Sequence, residues 1–98
     1  MPIIAVFQSP SLTQQTYEET VRRLTGGKKS RMESAADWPV EGLLAHAAGQ
    51  GAAGFRVVDV WTSEETFRRF GDVLGPIMQA IGIEGEPEIY PAHAFVSS

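Results

Sequence analysis

Apolar positions along the chain change their spacing in a regular order, and that spacing predicts six elements. Ile3 to Gln8 is a short apolar run ended by Ser9-Pro10, the pattern of a strand running into a turn. Tyr17, Val21 and Leu24 then recur at helical spacing, with the capping-box pair Ser11 and Gln14 ahead of them and Gly26-Gly27 behind. Lys28 to Pro39 is polar and without period, a loop closed by Trp38-Pro39. Leu43 to Ala48 reads as a strand, Gly49 to Gly54 as a small-residue loop, and Phe55 to Trp61, rich in Val and aromatics, as the clearest strand of the chain. The last two strands make a hairpin. Thr62 and Glu65 form a second capping-box pattern. Phe67, Phe70, Leu74, Ile77, Met78 and Ile81 mark one helical face that Gly82 ends, with a kink or break expected at Gly75-Pro76. Glu84 to Pro87 is a turn, and Glu88 to Val96 the last strand.

The order is β-α-β-β-α-β, which predicts an α+β, ferredoxin-like domain: a four-stranded antiparallel sheet with two helices on one face. In the third strand Val58 and Val60 share one side, while Phe55, Val57, Asp59 and Trp61 share the other. Both sides are largely apolar, and two helices cover only one of them. A second copy of the chain is expected on the other, which makes the assembly a homodimeric α/β barrel with a pocket in each subunit.

Length supports a single domain over residues 1–98. The 43% apolar and 20% charged composition is that of a globular chain. There is no cysteine, which excludes disulfides, iron–sulfur clusters and thiol catalysis. The net charge of −4 argues against nucleic acid or an anionic membrane as partner. No apolar run approaches the roughly 20 residues of a membrane span, and the N-terminus reads as a strand instead of a signal peptide, so the expected location is cytoplasmic.

Among the chemistry-bearing residues, Asp59 shares a strand face with Trp61. A carboxylate in an apolar pocket can shuttle protons; paired with an Arg or facing water, it is structural. His46 lies on the strand opposite. A register that pairs it near Val57 aims it at Asp59's face, and a slip of one residue turns it away. His93 sits in the last strand. Either histidine suits acid–base work near neutral pH, or is simply bonded to backbone. His46, His93 and Asp59 have the composition of a two-histidine, one-carboxylate metal site, but they lie on three strands and their spacing gives no support, so no metal is expected. Gly49 to Gly54 spells G-x-G-x-x-G, yet a strand follows where a dinucleotide site needs a helix. No cofactor is expected. Arg22, Arg23, Lys28, Lys29 and Arg31 cluster at the end of the first helix, where cations offset its dipole.

The run Phe55 to Glu65, with Phe67 and Phe70, resembles the third strand and second helix of the dimeric α/β barrel superfamily. That group includes antibiotic-biosynthesis-monooxygenase-like proteins and many small uncharacterised bacterial proteins. The likeness extends to Pro39-Val40-Glu41-Gly42, His46, Pro76 and Tyr90-Pro91-Ala92-His93. The resemblance implies the fold, and it implies that Trp61 lines the pocket. Monooxygenase-like members also use an Asn on the first strand, and haem-degrading members a His on the second helix. This chain has no Asn, with Gln8 as the substitute on offer, and no His on its second helix.

The expectation from sequence is therefore a homodimer with a small apolar pocket that binds or transforms a small hydrophobic, aromatic molecule. His46, Asp59 or His93 would move a proton, and Trp61, Phe55, Val57 and Tyr17 would hold the ligand. The reaction would be a cofactor-independent oxygenation of a phenol or an isomerisation. A non-catalytic ligand-binding or interaction module is the alternative.

Overall fold

A computed structural model of the chain describes residues 1–96. The elements run β1 (Ile3–Phe7), α1 (Gln14–Leu24), a short 3-10 turn (Ala35–Asp37), β2 (Leu43–Gly51), β3 (Gly54–Trp61), α2 (Glu64–Ile81) and β4 (Glu88–Pro91). The strands form one antiparallel sheet in the order β2-β3-β1-β4. This is the ferredoxin-like α+β fold that the chain order predicts.

Both helices start one or two residues later than the capping patterns suggest. Thr13 caps α1: its hydroxyl accepts from the Thr16 amide at 3.1 Å, and the Thr13 amide donates to the Thr16 hydroxyl at 2.8 Å. Ser63 and Thr66 repeat the arrangement at α2. Neither Ser11 with Gln14 nor Thr62 with Glu65 forms the box. α2 runs unbroken through Pro76, which sits on the exposed side where water can serve the carbonyl four residues back. It ends at Gly82, whose left-handed φ of 94° lets the Ile83 amide reach back to the Met78 carbonyl at 2.9 Å.

The predicted loop at Gly49 to Gly54 is shorter than expected. β2 continues to Gly51, β3 begins at Gly54, and only Ala52 and Ala53 lie between them. The G-x-G-x-x-G run is thus a tight hairpin with no helix to receive a pyrophosphate. β4 is also shorter and stops at Pro91, which leaves His93 exposed beyond the strand.

The helix-covered face of the sheet carries Ile3, Ala5, Phe55, Val57 and Trp61, which pack with Tyr17 and Val21 of α1 and Phe67, Phe70 and Leu74 of α2. The opposite face carries Ile4, Val58, Val60 and Tyr90, and none of these joins that core.

Candidate functional site

The register of β2 on β3 builds the site. β2 pairs with β3 from Leu43 opposite Trp61, but the register shifts by one residue between Leu43 and Ala45, and His46 falls opposite Asp59. Were the ladder continued without the shift, His46 would lie opposite Val58 and point away from the helices. The register running unbroken from the Gly51–Gly54 turn puts the histidine on their side, and the bulge, with Leu44 pushed out to 42% exposure, lets Leu43 face them as well.

There His46 is the middle of a chain of hydrogen bonds. Its Nδ1 lies 2.6 Å from Asp59 Oδ1, and its Nε2 lies 2.7 Å from the Tyr17 hydroxyl. A carboxylate only accepts, so Nδ1 carries the proton and Nε2 accepts from Tyr17. The second oxygen of Asp59 accepts from the Trp61 indole N–H at 3.3 Å. Asp59 is 2% exposed and Trp61 fully buried. Its two partners satisfy the carboxylate and hold it in place. Burial pushes the Tyr17 hydroxyl above its ordinary range. A hydrogen bond from the Met32 backbone opposes that rise, and the negative charge of Asp59 adds to it. Tyr17 therefore keeps its proton at neutral pH and is the donor in the pair.

Tyr17, His46 and Asp59 line a cavity of about 40 Å³ between sheet and helices. Its other walls include Val57, Leu12, Val21, Phe70, Leu74 and Ile83, with the partly exposed Leu24 and Met78 on the outside. That volume holds a few water molecules and is smaller than a ring-sized ligand, and the unbranched Met78 is the most adaptable side chain of its wall.

Trp38, which the sequence marks only as punctuation, forms part of the same wall. Its ring stacks on Phe70 at 5.7 Å and meets His46 edge to face at 5.4 Å. It is 7% exposed, and its indole nitrogen has no hydrogen-bond partner among the described residues. A buried donor left unpaired costs about 1–3 kcal/mol. The loop that carries it is tied by Asp37. One Asp37 oxygen receives the Lys29 ammonium at 2.9 Å, and the other receives the amides of Glu33 and Ser34. Lys29 first, then those amides, hold Asp37 well below the usual carboxylate range, at about 2. The basic cluster is paired as well, with Arg22 and Arg23 bridged to Glu18 and Glu19.

Of the residues singled out from sequence, the structure brings together His46, Asp59, Tyr17 and Val57. Trp61 lies behind Asp59 instead of on the cavity wall, and Phe55 packs against the Tyr17 ring at 5.3 Å, also off the wall. His93 stands apart, and the described residues hold no cluster of three metal-ligating side chains. Trp38 escapes sequence reading because a lone aromatic in an aperiodic loop carries no spacing signal. Trp38-Pro39 marks only a turn.

No family model and no curated protein matches the chain. Among solved structures, the chain is similar to a monooxygenase from the gene ActVA-Orf6 of Streptomyces coelicolor, crystallised in complex with the ligand Nanaomycin D. The two are 22% identical, the match covers 99% of this chain and 91% of that one, and the TM-score is 0.45.

Proposed function

We propose that the chain catalyses cofactor-independent proton transfer on a small hydrophobic molecule held between its sheet and its helices. The observation that carries this reading is the Asp59–His46–Tyr17 chain, continuous in hydrogen bonds and ending on the wall of an otherwise apolar cavity. Tyr17 takes a proton from a carbon or hydroxyl of the ligand as its own proton passes to His46 Nε2. The electron pair stays on the ligand as an enolate or phenolate. The imidazolium that forms is held by the Asp59 carboxylate on its other nitrogen, as in any base oriented by a third group. Return of the proton to a different atom completes an isomerisation. The same deprotonation is the first step in the oxygenation of an electron-rich phenol by dioxygen.

Proton exchange into D2O tests this. A panel of small enolisable ketones and phenols is followed by NMR, with thermal shift reporting binding on the same samples. The parent protein accelerates exchange of a bound compound, and His46→Ala lowers that acceleration by about 100- to 10,000-fold, the usual size of a positioned acid–base group. Binding without any exchange in the parent turns the reading to a ligand-binding module.

We also propose a homodimer, formed over the sheet face that carries Ile4, Val58, Val60 and Tyr90. These side chains stand apart from the core that the helices build and keep part of their surface exposed, Tyr90 39% of it. Light scattering at micromolar concentration reads twice the 10.7 kDa chain mass if this holds, and a monomer mass removes it.

A further inference from the structure

We infer that the Trp38 indole N–H is the ligand's oxygen-binding donor, so the cavity takes apolar ring compounds that carry an oxygen which becomes anionic on losing a proton, phenols above all. The inference deepens the proton-transfer reading and rests on it.

Three observations meet at this position. Trp38 is more than nine-tenths buried, yet its nitrogen has no partner among the described residues. It forms part of the cavity wall that Tyr17 and His46 also form. It is also in direct ring contact with His46 at 5.4 Å, which puts its ring beside the group that moves the proton. Packing alone does not account for an indole here. The stack on Phe70 needs a flat apolar ring, which Phe supplies without burying a donor. The other tryptophan shows the contrast, because the Trp61 N–H is spent on Asp59.

The chemistry follows from what each group can do. Tyr17 and His46 remove a proton, and negative charge then gathers on the ligand's oxygen. A fixed N–H already stripped of water, with no competing partner, stabilises that charge more than it stabilises the neutral oxygen. Apart from Asp59 and Thr20, whose polar atoms are taken by partners within the protein, the rest of the wall is aliphatic and aromatic and offers surface to a ring. The site thus selects one ionisable oxygen on an apolar frame, and a molecule with the frame but no ionisable oxygen gives Trp38 no charge to stabilise.

The test uses 4-nitrophenol, whose phenolate is coloured, beside nitrobenzene, which has the ring and no hydroxyl. In the parent, bound 4-nitrophenol shows phenolate absorbance at a pH where the free compound is largely protonated, and its addition moves one of the two indole N–H signals in the NMR spectrum. Trp38→Phe removes that signal and weakens 4-nitrophenol about tenfold or more, the size of one hydrogen bond to a charged oxygen, while nitrobenzene binds as before. Equal 4-nitrophenol affinity in parent and Trp38→Phe overturns the inference and leaves the proton-transfer reading standing if His46→Ala still abolishes the phenolate absorbance. A parent that binds neither compound overturns both. If Trp38→Phe is poorly folded, the indole signal in the parent decides: a Trp38 resonance unmoved by saturating 4-nitrophenol overturns the inference.

Discussion

Asp59→Ala will destabilise the protein by about 3–5 kcal/mol, the cost of two buried donors left without an acceptor, at about 1–3 kcal/mol each, together with the void that alanine leaves. The carboxylate is 2% exposed and receives two donors, His46 Nδ1–H and Trp61 Nε1–H. Alanine leaves both facing a hole that no backbone group fills. Against a total stability of about 5–15 kcal/mol, the loss is a large share, and for a domain of this length it lowers Tm by roughly 15 °C or more. Urea denaturation measures it directly. Asp59→Asn separates the two contacts: its amide oxygen still accepts from His46, but its amino group then confronts the Trp61 donor. It should fall between the parent and Asp59→Ala. A loss of less than about 1 kcal/mol for Asp59→Ala would mean that the chain of hydrogen bonds does not hold this part of the core.

Phe70→Ala will cost about as much, 3–5 kcal/mol by the measure of buried Phe truncations, for an unrelated reason. Phe70 is 2% exposed and lies between the two tryptophans, 4.9 Å from Trp61 and 5.7 Å from Trp38. Its removal opens a void between two large rings that backbone shifts cannot close. Phe70→Leu keeps most of the volume and should lose less than about 1.5 kcal/mol. Comparing the two in urea separates volume from ring stacking, and equal losses would assign the stability to the stacked rings themselves.

Much of the fold could be read from the chain, because it follows from periodicity. The two faces of β3 separate as the alternation of Val58 and Val60 against Val57, Asp59 and Trp61 requires. The helix caps were displaced for a specific reason. A reciprocal box built from two hydroxyls, Thr13 with Thr16 and Ser63 with Thr66, does the work that the usual pattern assigns to Glu or Gln at the third position. β4 ends at Pro91 because the ladder runs out on β1: Ala92 still donates to the Pro2 carbonyl at 3.0 Å, but Pro2 has no amide to return the bond.

The site was half legible. Asp59 and His46 could be nominated by residue type and parity, and Tyr17 by its position on the inward face of α1. Their connection could not, because it depends on the register set by a two-residue turn at Ala52-Ala53 that the run of small residues from Gly49 to Gly54 does not announce. Trp38 depends on a loop tied by Lys29 and Asp37, contacts that carry no period. Trp61 was expected on the pocket wall and instead supports the carboxylate from behind.

The register of β2 has a meaning for how such a site can arise. Chain parity decides which side of a sheet each residue serves, so one inserted residue reassigns everything on its strand beyond it. A β2 one residue shorter between His46 and the hairpin would keep the same strands, order and turn but hand His46 to the outer face, whereas loss of Leu44 itself would only remove the bulge and leave His46 opposite Asp59. The difference between an inert apolar core and one with a proton-handling histidine at its centre is thus a single codon gained or lost. No change of residue at position 46 is required.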